Sequence, residues 1–319
     1  MTRRKNNQPR PVGIKRRNCG AAIAASIGLA VLYLNFNPTL VGADPDELRN
    51  SAVSLPSDFD ADFSEASTGP AEGKPAGNTD PDHLSGERAL LMKLLLLEKG
   101  LAYLQEVPDY TATVFTQERV SGSLLDPQIM DLKLRHEPLS IHMHWRVGDK
   151  GRELLFVDGQ NEGDMLVRMG GIKKRLIPTL KLNPSGDTAM KEARHPATKI
   201  GMKELARQLV ERRQGDLRRK AAYRCEMRKD RKFDDRPCYC FIYEFDSPSE
   251  DSLYRKSIVL IDKEWCVPVM LKNFTWPHEA AEIDPTELDE ETVIEHYGYS
   301  NVQFNQKLAD SEFHRDVLN

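Results

Sequence analysis

The sequence predicts an α+β fold, a large curved antiparallel sheet covered by helices, and three observations carry that prediction. Period-two alternation recurs from residue 110 to residue 304. It is clearest over residues 138–147, where Leu139, Ile141, Met143, Trp145 and Val147 share one parity and Ser140, His142, His144 and Arg146 the other. A Leu-rich helical repeat precedes the strands. The links between strands are short and rich in turn-forming residues, which favours antiparallel neighbours. About ten strands with two helical insertions fit an open half-barrel.

The chain has 319 residues and a formal charge of -4, unevenly spread. Residues 1–43 contain Arg3, Arg4, Lys5, Arg10, Lys15, Arg16 and Arg17 and no acid, so subtracting these seven from the net charge leaves -11 for residues 44–319. An acidic body excludes nucleic acid as the main partner, because phosphate binding needs a basic surface. From Cys19 to Leu34 runs an uncharged stretch of sixteen residues. That is shorter than the roughly 20 apolar residues of a membrane span and suits a signal h-region. Val41-Gly42-Ala43 offers small residues to a signal peptidase, although Asn35 to Leu40 make the gap before it long. Residues 1–43 therefore read as a signal peptide or a retained membrane anchor. Either reading exports the body to the periplasm or cell envelope, and the cations ahead of the apolar run orient the N-terminus inward, with attachment to the inner membrane if the segment stays uncleaved. Residues 44–83, rich in Asp, Glu, Ser, Pro, Gly and Ala, read as a disordered acidic linker. The folded domain is expected over residues 84–305 and a C-terminal tail over 306–319.

Residues 85–107 form the first helix. Leu90, Leu94, Leu97, Leu101 and Leu104 recur at alternating four and three spacing, Leu91 and Leu95 widen the stripe, and Pro108 ends it. A face this broad suits packing on a sheet better than a coiled-coil seam. Residues 110–120 make the first long strand, followed by Met130, Leu132 and Leu134 alternating with Asp131, Lys133 and Arg135. At Glu137-Pro138 the apolar parity moves from even to odd, which predicts a bulge or bend within one long strand. Residues 152–158, 164–169 and 172–177 continue as strands. A crossing over 180–198 leads to a second helix at 201–215, with Met202, Leu205 and Leu209 inward and Lys203, Arg207, Arg212 and Arg213 on a basic outer face. Residues 223–227, 238–245, 254–262, 266–275 and 292–304 complete the sheet.

Few groups point to chemistry. His142 and His144 lie two apart on the wet face of one strand, with His136 and Asp131 as more distant candidates for a shared metal. No second His or Cys pair completes a centre, and no metal or cofactor is implied. In an exported protein Cys225 faces Cys238 or Cys240 across a hairpin, and Cys225 with Cys240 is the possible disulfide. Nucleophile elbow, Walker loop, dinucleotide Gly motif and metalloprotease helix are all missing.

Tyr110-Thr-Ala-Thr-Val, Glu118-Arg-Val, Glu137-Pro-Leu-Ser-Ile, Gly151-Arg-Glu-Leu-Leu-Phe-Val and Gly159-Gln-Asn-Glu-Gly resemble an uncharacterised family of exported planctomycete proteins, the domain of unknown function numbered 1571, over residues 85–305. The order of elements resembles the LolA-like lipoprotein carriers. The first resemblance implies a compartment and transfers no catalytic residue. The second implies a concave apolar face able to hold acyl chains, for which Ile141, Met143, Trp145, Val167 and Met169 are the candidates. The expected function is a non-enzymatic envelope protein binding a lipid or lipidated protein. The alternatives are a tethered scaffold domain with a filled core and a hydrolase using the strand-face histidines.

Overall fold

The computed structural model of the protein describes residues 84–278 and 283–318. The export segment and acidic linker expected over residues 1–83 lie outside them. Among the described residues no helix is long and apolar enough to cross a membrane.

A short strand β1 (Leu84–Ser85) opens into helix α1 (Gly86–Gln105). The first half of the sheet is β2 (Asp109–Val120), β3 (Ser123–Leu124), β4 (Gln128–Arg135), β5 (Ser140–Val147), β6 (Glu153–Val157) and β7 (Met165–Arg168). A one-turn helix α2 (Lys173–Leu176), strand β8 (Leu180–Leu182) and a second one-turn helix α3 (Asp187–Met190) lead to the long helix α4 (Met202–Arg219). The second half is β9 (Tyr223–Phe233), β10 (Arg236–Phe245), β11 (Lys256–Asp262), β12 (Pro268–Phe274), a one-turn helix α5 (Leu288–Glu291) and β13 (Val293–Phe304). All thirteen strands join one open sheet in the order β1-β9-β10-β11-β12-β13-β2-β4-β5-β6-β7-β8, with β3 paired to β2. Every pairing among the described strands is antiparallel, as the short links predict. From β1 on one edge the chain passes through α1 to β2 in mid-sheet, meanders to the opposite edge at β8, crosses back through α4 to β9 beside β1, and returns so that β13 pairs with β2.

Helix α1 buries Leu90, Leu94, Leu97 and Leu104, and each full burial of this kind contributes about 1.5–3 kcal/mol. At Gly100 a Cβ would fall 2.1 Å from the backbone oxygen of Cys266, so the helix lies directly against the β11–β12 turn. The stripe is narrower than the leucine count suggests, because Leu91 and Leu95 are 50% and 62% exposed. Leu101 is only half-buried.

Three further expectations are corrected. The parity change at Glu137-Pro138 marks a reversal between two strands: Arg135 pairs with Ser140 across a four-residue turn whose Glu137–Pro138 peptide is cis. Both strands keep their apolar parity inward, and the turn absorbs the difference. Residues 173–176, read as strand, form α2, because Gly170-Gly171 release the chain from the sheet. Arg213, assigned to the basic outer face of α4, is 1% exposed and turns inward, where Asp216 three residues on accepts its hydrogen bond at 2.7 Å.

Candidate functional site

Antiparallel register sets the candidate apolar face. Ala112, Leu132, Met143, Leu154, Val167 and Leu180 form one cross-strand rung from β2 to β8. Tyr110, Leu134, Ile141 and Phe156 form the rung beside it, and Val114, Met130 and Trp145 the rung on its other side. Period-two geometry puts all three rungs on one face of the sheet. Ile141, Met143, Trp145 and Val167 are thus brought together and buried, while Met169, just past β7, is half-buried against the same core. Trp145 donates its indole N–H to Gln128 at 2.8 Å, and the Arg152 guanidinium lies 5.0 Å from its ring centroid.

The crossing between β8 and α4 lies over part of this face. Arg152, stacked on Trp145, reaches Glu192 of the crossing at 2.8 Å. Where the crossing enters α4, Tyr110 and Tyr299 on the sheet accept the backbone N–H groups of Met202 and Gly201 through their hydroxyls, each at 3.1 Å. A Cβ on Gly201 would sit 2.8 Å from Leu134, the cross-strand neighbour of Ile141. Yet the crossing is shallowly seated: between residues 183 and 200 only Pro184 is buried.

Its main polar attachment is Glu295, an inward-facing carboxylate on β13 that is 2% exposed. One carboxylate oxygen accepts hydrogen bonds from Tyr254 at 2.9 Å and Asn273 at 2.6 Å. The other accepts from His195 at 2.9 Å and Arg194 at 3.2 Å, with the Tyr297 hydroxyl oxygen 3.3 Å away. Glu118, the cross-strand partner of Glu295, accepts from the Tyr297 hydroxyl and, at 2.9 Å, from the backbone N–H of Arg194. Burial by itself would raise the Glu295 pKa. The hydrogen bond and charge of His195, the Asn273 bond and the Arg194 charge carry it instead to about 2. His195 is raised, first by its bond to Glu295 and then by the charges of Glu295 and Glu118, against the opposing effect of burial. Burial and the nearby carboxylates push the Tyr254 and Tyr297 hydroxyls up, so both remain neutral. A charged acceptor saturated by four donors holds its neighbours in place.

None of these residues was a sequence candidate. The available signal was parity: Val293, Glu295, Tyr297 and Tyr299 share one face of β13, and an acid there interrupts an inward row.

The strand-face histidines point the other way. His142 lies on the outer rung Lys133, His142, Leu155 and Leu166, and His144 on the rung Asp131, His144, Glu153 and Arg168. Residues 306–318 pack over part of this outer face, placing Phe313 and Leu318 on Leu155, Val157 and Leu166. Burial, then the Lys133 charge, lowers His142 to about 4. His136 turns instead to the Val107 carbonyl at 2.6 Å. Among the described residues no three His, Cys, Asp or Glu side chains assemble as a metal site.

A second buried polar group lies at the β9–β10 end. Lys93 of α1 is fully buried, and its Nζ has no hydrogen-bond partner among the described residues. Burial first, then the charge of Arg213, lowers it to about 7. Arg213 stacks 3.8 Å from the Tyr243 ring centroid, and Asp216 also accepts the Tyr243 hydroxyl at 3.2 Å. The bridge expected between Cys225 and Cys240 is absent: Cys225 pairs with Tyr243 and Cys240 with Arg228, three residues out of register. The four described cysteines are free and buried.

The family described as "Protein of unknown function (DUF1571)" matches residues 107–317. No curated protein matches the sequence. Solved structures similar to the chain include the lipoprotein LppX of Mycobacterium tuberculosis, at 12% identity and a TM-score of 0.40, covering 69% of this chain and 98% of that one. A DUF1329 family protein from Desulfovibrio piger is similar at 11% identity and a TM-score of 0.36, covering 72% and 99%. A LolA superfamily protein from Nitrosomonas europaea is similar at 13% identity and a TM-score of 0.29, covering 70% and 97%.

Proposed function

The chain belongs to the DUF1571 family of proteins of unknown function, and we propose that it is an exported, non-enzymatic binding protein of the cell envelope whose ligand is apolar, a lipid or a lipidated protein. The ligand lies against Ile141, Met143, Trp145, Val167 and Met169, between the inner face of the sheet and the crossing. One observation carries this reading: three apolar rungs are buried while the segment crossing them from residue 183 to residue 200 buries only Pro184 of its own residues. A cover with so few apolar anchors opens at low cost compared with the sheet beneath it. Met side chains in the rungs suit a surface that repacks around varied chains. Export rests on the cationic N-terminus and the uncharged run from Cys19 to Leu34.

The test is native mass spectrometry of the protein purified from its own envelope, followed by organic extraction and lipid analysis. A co-purifying apolar molecule is expected, lost in Trp145→Glu and Met143→Glu variants that keep their circular dichroism. A ligand-free spectrum together with no fluorescence gain from an apolar dye would overturn the reading in favour of a scaffold domain with a filled core.

A further inference from the structure

The loop joining β7 to β8 carries the most exposed large hydrophobic side chains among the described residues. Ile172 is 82% exposed and Leu176 is 78% exposed. They stand four residues apart around the single turn of α2, which puts them on the same side of it. Between them the sequence reads Lys173-Lys174-Arg175. From Asp164 to Asp187 the chain has five cations, Arg168, Lys173, Lys174, Arg175 and Lys181, and no intervening acid. The turn is seated firmly at its base: a Cβ on Gly170 would meet the Lys150 carbonyl oxygen at 2.2 Å.

We infer that residues 171–177 form a docking lip for an anionic lipid bilayer. Two aliphatic side chains beside three cations match both layers of such a surface, the acyl boundary and the negative headgroups. A hydrophobic protein partner would explain Ile172 and Leu176 but not the run of cations. An acidic protein would explain the cations but not two aliphatic side chains so fully exposed. The inference stands without the ligand reading, since it concerns the outside of the β7–β8 edge.

The experiment is hydrogen–deuterium exchange on the full chain with vesicles of phosphatidylcholine, with and without phosphatidylglycerol. A local readout is needed because other parts of the chain can also bind bilayers. Slowed exchange at residues 171–177 is expected only with the anionic vesicles. That protection should disappear in Lys173→Glu/Lys174→Glu and, separately, in Ile172→Ser/Leu176→Ser, with exchange in β4–β6 unchanged as the folding control. Vesicle binding with no protection at 171–177 would overturn the inference, as would equal protection by uncharged vesicles. Concentration-dependent protection without vesicles would also overturn it and assign the lip to contacts between copies of the chain.

Discussion

His195 donates its Nε2–H to a Glu295 oxygen at 2.9 Å, and that bond ties the shallowly seated crossing to the last strand of the sheet. The acceptor is buried and ionised, so it also sets the protonation of its donor.

The pH dependence of this attachment follows from two opposite shifts. The His195 pKa is raised in the folded protein, so its contribution is complete below the unfolded value of 6.5 and is lost as pH rises through the folded value. Glu295 is depressed to about 2, so its contribution is present above 4.5 and is lost as pH falls toward 2. The crossing should be held best between those limits. In Glu295→Gln the His195 pKa, followed by NMR titration, is expected to fall, and residues 183–200 should exchange and cleave faster while β4–β6 keep their protection. An unmoved His195 titration would show that the bond does not form in solution.

Gly100→Ala tests how closely α1 sits on the sheet. Alanine is the better helix former by about 1 kcal/mol, so propensity alone predicts stabilisation. The Cβ, however, would lie 2.1 Å from the Cys266 carbonyl oxygen, a backbone atom that cannot rotate away. A net loss of about 3 kcal/mol is expected in urea unfolding of the full chain. Unchanged or increased stability would mean that the helix stands further off the β11–β12 turn.

What the sequence revealed and what it hid divide along physical lines. Period-two alternation is local, so β5, β6, β7, β10, β12 and β13 were legible within one or two residues. The face shared by Ile141, Met143, Trp145 and Val167 followed from the same parity once register joined the strands. The Glu137-Pro138 reversal was misread because a parity change has the same appearance in a bulge and in a tight turn. Leu91 and Leu95 were read as inward because apolar character was taken as burial, which holds in only one direction. The Glu295 attachment brings together Glu118, His195, Tyr254 and Asn273 from four distant segments, and no spacing in one sequence encodes that meeting.

The cysteines supply a chemical check. Burial first pushes Cys225 and Cys240 up to about 11 and Cys238 up to about 12, so the reactive thiolate is scarce in the folded protein near neutral pH. Cys225, Cys238, Cys240 and Cys266 are expected to resist alkylation until the protein is unfolded and then to react together, as peptide mapping by mass spectrometry would show. A Cys225–Cys240 peptide pair recovered without reductant would contradict the three-residue offset between them.

Lys93→Met should make the protein more stable. The folded pKa of Lys93 is held near 7 against 10.5 in the open chain, chiefly because burial disfavours the charged form. Between those values the unfolded chain binds the additional proton, so wild-type stability rises with pH across that window, and below it the burial penalty is complete. Methionine has a similar length without the charge, and it removes a buried nitrogen that has no hydrogen-bond partner among the described residues. A gain of about 1–4 kcal/mol is expected at pH 6, shrinking toward pH 10 as the wild-type lysine becomes neutral in both states. Thermal or urea unfolding of the two full-length proteins across that range measures both the gain and its slope. A loss of stability at pH 6 would show that Lys93 is charged and paired in solution, with an acceptor that lies outside its described surroundings.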